Sequence, residues 1–274
     1  MDEEFKGVWL GGLRGPMRNA MIGFCGATVL LALWLIFGRL FLGTEIGMSE
    51  VLRPSGYPMV KLLLFCLLGS LLTGSMYLSD TIGAIESKPS GFFDTLSLVC
   101  SRLAMIGIVF VVLVMFYEVV SRYGFNKPTL WANELSLWIA AFVFLLAGQY
   151  AMQQRSHIRI YIIYDMMPRW AQKACDCFSV FLIWVFTFCL IWGGYNEAKA
   201  KILRMETFGT AWDPPIPGTI KPAILFIICL VTLQSLSNLI ADWNKMPEHH
   251  SPADEIDETE IENIRRTLGD IDDV

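Results

Sequence analysis

Charged side chains at the ends of apolar runs carry what chemistry this chain could do. Glu118 and Arg122 stand four residues apart with the acid first, the favourable order for an ion pair on one helical face. Near the end of an apolar span, Arg122 can snorkel outward along its methylenes while its charge neutralises Glu118. Two roles fit that placement: an anchor for the polar elbow 123–128 where other proteins dock, and the interfacial arginine of an ordinary membrane helix. Glu134 opens the next apolar run, with Trp131 three residues before it and Trp138 four after, all on one helical face. A carboxylate in a first turn complements the helix dipole, and paired tryptophans suit the headgroup boundary. A proton-relay or ion-coupling carboxylate belongs deep in a span, facing a cavity, and Glu134 lies at an end. Beyond that run come Arg155, His157 and Arg159, then Asp165, which is the available partner of Arg159 or His157. His157 is read as a structural hydrogen-bonder in preference to a protonation switch. Ile158, Tyr161, Ile162 and Asp165 recur at three-to-four spacing, which predicts a short helix lying in the membrane interface.

Enzymatic chemistry is poorly served. The chain has no His-Glu-x-x-His, no phosphate-cradling Walker loop and no Gly-x-Ser-x-Gly elbow. Of three histidines, two fall in the C-terminal tail. Cys25, Cys66, Cys100, Cys189 and Cys229 sit inside apolar runs, where a thiol behaves as a small hydrophobe. Cys175 and Cys177 form a Cys-x-Cys with no second Cys or His pair at zinc spacing, so neither a metal site nor a disulfide frame is expected.

The elements that must position these groups are membrane helices. Hydrophobic residues make up 54% of the chain and charged residues 17%, against about 25% charged in an ordinary soluble domain. Mean hydropathy is +0.50. Six stretches are long and apolar enough to span a bilayer: 21–42, 60–78, 96–120, 131–151, 177–194 and 222–241. All should be helical, because unpaired backbone amides are not tolerated in lipid. The first follows Arg14 and Arg18 and is read as a retained helix in preference to a cleaved signal. Six spans put both termini on one side. The basic flank at Arg14 and Arg18 and the loop with Arg155, Arg159, Arg169 and Lys173 argue for the cytoplasm, while Lys199, Lys201, Arg204 and Lys221 lie in the opposite loop.

Three regions follow. Residues 1–95 hold two spans and end in the turn-rich linker Lys88-Pro-Ser-Gly; residues 96–245 hold four; residues 246–274 form an acidic tail. From Lys245 onward three basic residues face ten acidic ones, so the net charge of −5 comes from the tail, which is expected to be disordered.

The order of polar features within 96–243 resembles the small permease subunit, DctQ type, of tripartite ATP-independent periplasmic (TRAP) transporters. The matching residues are the turn Arg122-Tyr-Gly-Phe-Asn126, Trp131 with Glu134 opening a span, His157-x-Arg159 after it, and Asp165 with Pro168. The proline-containing turn Trp212-Asp-Pro-Pro-Ile-Pro217 before the last span also resembles the family. The chain departs from that pattern in carrying Tyr161 where an acid commonly follows the Arg, and in its two extra N-terminal spans. The resemblance implies an all-α integral membrane protein of about six transmembrane helices, a four-helix core plus two, in the bacterial inner membrane with cytoplasmic ends. It also implies a large, DctM-type permease partner that binds sodium and substrate, a periplasmic substrate-binding protein, membrane lipids around the subunit, no cofactor in this subunit, and no nucleic acid. Arg122, Trp131 and Glu134 would shape the outer face and His157, Arg159 and Asp165 the inner. A stand-alone six-span transporter is the rival; such proteins show broken spans paired in two repeats with polar groups near midplane, whereas here the clear charges lie mainly at span ends. A membrane assembly factor is a further alternative.

Overall fold

In a computed structural model of the chain, residues 8–83, 86, 88–155, 164 and 166–244 are described. They form α1 (Arg14–Phe41), α2 (Met48–Leu52), α3 (Pro58–Ser79), α4 (Phe92–Val119), α5 (Ala132–Gln153), α6 (Arg169–Arg204) and α7 (Ile216–Asp242), with no strand among the described residues. Six of these are long and apolar enough to cross a membrane, with α1 preceded by the short 3-10 turn Gly11–Leu13. The short helix expected around 158–165, His157, Arg159, Asp165 and the tail lie outside the described residues.

Local sequence explains most helix ends. Pro58 opens α3 and Pro217 opens α7, where a missing N–H costs nothing. Asp94, in the first turn of α4, reaches back to accept the Ser90 N–H at 2.9 Å and its hydroxyl at 2.7 Å. Helix α6 stops where Met205 adopts φ +44°, and the Glu206 N–H returns to Lys201 O at 3.0 Å.

Three spans differ from the sequence expectation, α1 among them, which begins at Arg14 and not at 21. Helix α6 runs 36 residues, far beyond the apolar 177–194. At 1.5 Å per residue that is about 54 Å, against a hydrocarbon core of about 30 Å, so charged turns extend α6 past the apolar zone at both ends. The last span begins at Ile216, not Pro222, because the proline-rich stretch is itself helical from Ile216 and Pro222 sits inside the second turn.

The long helices stand in a row. Helix α1 packs on α3, α3 on α4, α4 on α5, α5 on α7 and α7 on α6, with a smaller contact between α4 and α7. The interior is small and polar while the large apolar side chains face outward. Ser75, Ser79, Ser97, Gln149 and Gln234 are buried, and Leu30, Phe116, Phe144, Phe188 and Trp192 are exposed. That inversion suits lipid, where helices associate through close backbone approach and not through hydrophobic exclusion. A Cβ on Gly107 would come within 2.9 Å of Val143, and one on Gly69 within 2.7 Å of Phe24. Both glycines let a neighbouring helix in.

Candidate functional site: two polar ends of the helix row

The ends of the row differ, and are called proximal (holding the start of α1 and the end of α7) and distal. At the distal end, α4 unwinds through the wide π-type turn Val120–Gly124. Glu118 is 3% exposed and organises this turn. Its Oε1 accepts Arg122 Nε at 2.9 Å and Nη2 at 2.5 Å, the pair expected from the spacing. Its Oε2 accepts the Thr129 N–H at 3.0 Å and the Thr129 hydroxyl, so one carboxylate ties the end of α4 to the chain entering α5. Between them the Lys127 N–H donates to Ser121 O at 2.9 Å, and Asn126 takes φ +53°, which an asparagine tolerates. Tyr123 and Phe125 are held exposed at the tip. Trp131 stacks on Tyr117 with centroids 5.7 Å apart.

Glu134 does lie in the first turn of α5. It also accepts the Asp213 N–H at 3.2 Å, from the loop before α7. Asp213, at φ +60°, has its carboxyl held below the usual range, chiefly by the Gly209 N–H at 2.7 Å and also by Arg53. Arg53 Nη2 lies 3.3 Å from Asp213, and Trp212 donates to Met48 O at 3.1 Å, so α2 is fastened to the loop that leads into α7 at Ile216 and Pro217. Trp138 points at a helix neighbour: its indole N–H donates to Thr219 on α7 at 2.8 Å.

The proximal end holds groups that the sequence reading did not single out. Asp80, fully buried at the end of α3, accepts the Trp9 and Leu10 N–H groups at 2.9 Å each and faces Arg14 at 3.3 Å. A carboxylate opposes the dipole at a helix C-terminus, and these donors offset that cost. Arg102, on α4, forks onto Glu86 of the linker at 2.9 and 2.5 Å and also donates to Thr81 O at 2.9 Å. Tyr150 of α5 donates to the same carboxylate at 2.6 Å, and the Gly83 N–H at 2.9 Å. Burial alone would raise the Glu86 carboxyl; the Arg102, Tyr150 and Gly83 bonds override it and hold it at about 2. Glu86 therefore stays ionised and clamps the linker to α4 and α5.

Next to this clamp, Gln234 Nε2 of α7 donates to Asp94 at 2.6 Å and to Asn238 at 2.9 Å. Asn238 donates to Met152 O of α5 at 2.7 Å, and Ser97 of α4 to Gln149 O at 3.0 Å. Arg155 grips Asp242 at 2.5 and 3.0 Å, closing the α5 and α7 ends together. The spacing of Gln149 with Gln153, and of Gln234 with Asn238, each four apart in an apolar run, was the signal that could have found this cluster.

Neither end groups three or more potential metal ligands among the described residues. What both ends can do is hold helices and loops in register.

A row of apolar helices with polar, hydrogen-bonded ends defines a multi-pass helical membrane protein. Residues 111–245, just under half of the chain, match the family model of the tripartite ATP-independent periplasmic transporters, DctQ component, and over that segment the chain is DctQ-like. It is 24% identical over 154 residues to the sialic acid TRAP transporter permease protein SiaT of Haemophilus influenzae (strain 86-028NP), covering 47% of this chain and 25% of that protein. It is 25% identical over 109 residues to the C4-dicarboxylate TRAP transporter small permease protein DctQ of Vibrio cholerae serotype O1 (strain ATCC 39315 / El Tor Inaba N16961), covering 40% of this chain and 47% of that protein. The match thus spans a quarter of the first relative and just under half of the second. No solved structure matches. The family match starts at 111, later than the resemblance at 96, and leaves α1 to α3 outside it.

Proposed function

We propose that this chain is the small membrane subunit of a TRAP uptake system in the bacterial inner membrane. It supports a large permease in sodium-coupled, binding-protein-dependent import of an organic acid. The observation that carries this reading is the arrangement of the helices in a row, each packed mainly on its neighbour, which makes a wall and not a closed bundle around a path. Charged groups sit towards the ends of that wall and bind its own residues, and the buried polar pair near mid-span, Thr187 with Thr232, is uncharged. Sodium and substrate would bind the large partner. In the Haemophilus relative the matched segment is only 25% of the protein, which suits a subunit that works beside further membrane-embedded chain. The distal end, with the Glu118 elbow and the Glu134–Asp213 loop, would face the periplasm and a substrate-binding protein, and both termini the cytoplasm. Sialic acid and C4-dicarboxylate appear in the two relatives' names, and both are carboxylates, hence the substrate class.

The experiment is mild-detergent purification of the tagged chain from its native membrane, with mass spectrometry of co-eluting proteins. A larger, many-span permease in near-equal amount is the expected result. Recovery of this chain alone, together with substrate uptake by the purified protein in liposomes, would replace the proposal with a self-sufficient transporter.

A further inference from the structure

The junction of α4, α5 and α7 at the proximal end contains polar atoms that its protein bonds leave over. Gln149 and Gln234 are both fully buried. Gln149 Nε2 and Oε1 and Gln234 Oε1 have no hydrogen-bond partner among the described residues. Around them stand Asp94 and Ser97 of α4, Met152 of α5 and Asn238 of α7, already joined across the three helices. A buried amide without partners is destabilising, so three such atoms beside one turn of α4 point to an occupant.

We propose that this junction is a hydrated site, with ordered water bound by the Gln149 side chain and by Gln234 Oε1. The orientation of Gln234 is fixed, since Nε2 donates to both Asp94 and Asn238, and flipping the amide would set oxygen against oxygen. Its open acceptor therefore faces away from Asp94. A cation is a poor fit for that geometry. The Asp94 carboxylate is already lined by donors, from Ser90 and Gln234, and a cation on Gln149 Oε1 would leave the Gln149 NH2 unpaired. Water donates and accepts, matching Gln149 at both atoms and Gln234 at one, and a buried water typically makes about three such bonds. The site lies near the ends of α4, α5 and α7, within reach of the proximal aqueous side, so exchange needs no passage through the middle of the spans. Hydration there would let three helices share one polar joint without a direct side-chain lock between α5 and α7 at Gln149.

The test uses the full chain in lipid bilayers with 15N-labelled glutamine. Magnetisation transfer from water to the Gln149 and Gln234 side-chain amides is measured by solid-state NMR, with each signal assigned by its loss in Gln149→Leu or Gln234→Leu. Transfer to Gln149 as fast as to exposed amides is expected, and transfer no faster than to the dry interior would overturn the site. Thermal unfolding of Gln149→Leu gives an independent sign. A hydrated site loses the water bonds of Gln149, so the midpoint falls by about 3 °C or more; a dry site sheds two orphaned atoms, so the midpoint rises. Gln149→Met repeats the comparison with a flexible side chain, and a rise in both variants overturns the proposal. A midpoint that climbs on replacing choline by sodium or potassium at constant ionic strength, and does so only while Gln149 is intact, would put a cation there instead of water.

Discussion

The two ends of the helix row use the same residue types in opposite ways. At the proximal end, carboxylates reach across the chain: Asp80 to Trp9 and Leu10, Glu86 to Arg102 and Tyr150, Asp94 to Gln234. Asp80 and Asp94 are buried and Glu86 nearly so, and their bonds tie separate elements together. At the distal end the bonds mostly fasten loops, and several are more exposed. Glu118 binds Arg122 four residues on and Thr129 eleven on, while Arg53 and Asp213 meet with the arginine side chain 67% exposed. The proximal end is therefore built to hold helices together, and the distal end to hold a loop surface in shape. Burial raises the cost of breaking a bond, because the remaining partner cannot recover its bonds from water.

That contrast can be broken by mutation, and the largest effect belongs to the clamp. Arg102→Met strands Glu86 and should cost about 3–5 kcal/mol, seen as a large drop in the unfolding midpoint or loss of folded protein in detergent. The double variant with Glu86→Gln should recover much of that loss; no recovery would mean that the pair is not coupled. The same clamp sets an acid limit. With the Glu86 carboxyl at about 2 in the folded chain against 4.5 free, its contribution is complete above about pH 4.5 and is lost as pH falls towards 2. The full linkage is roughly 3 kcal/mol, so midpoints should be flat above pH 5 and decline below 4.5, and Glu86→Gln should flatten that decline.

Distal changes should be smaller in stability and larger in function. Glu118→Ala leaves the Thr129 N–H unpaired and should cost about 1–3 kcal/mol. Co-purification of partners or uptake should fall with it, without any change in which substrate is preferred. A changed preference would place the binding path in this subunit. Arg122→Ala, with half of the arginine side chain exposed, should cost only about 0.5 kcal/mol. Smallest of all, Arg53→Ala should stay within about 0.5 kcal/mol by thermal unfolding, because that pair is largely in water. A loss of several kcal/mol there would mean that α2 braces the distal loop, and would erase the difference between the two ends.

The legible parts of the site were those whose partners are near in sequence. Glu118 and Arg122 declare themselves by i,i+4 spacing, and Glu134 by its place at the start of an apolar run. Asp213 could not be paired with Glu134 from sequence, since 79 residues separate them and the bond comes from a backbone N–H. Nor could Gln234 be paired with Asp94, 140 residues apart. Glutamines in an apolar run give no sign of their partner, and Glu86 reads as one charge in a turn-rich linker until α5 brings Tyr150 to it.

By composition and periodicity alone, the sequence determined six membrane-spanning helices, because lipid admits no unpaired backbone and so leaves helix as the state of each apolar run. It also determined the local turns, through prolines, first-turn acids and the Glu118–Arg122 pair. Tertiary structure alone decided the order of the row, the length of α6 beyond its apolar stretch, and which buried polar groups meet. The reason is physical. A span's apolar face matches lipid and neighbouring helices equally well, so what selects the neighbours is close backbone packing and hydrogen bonds between residues far apart in the chain.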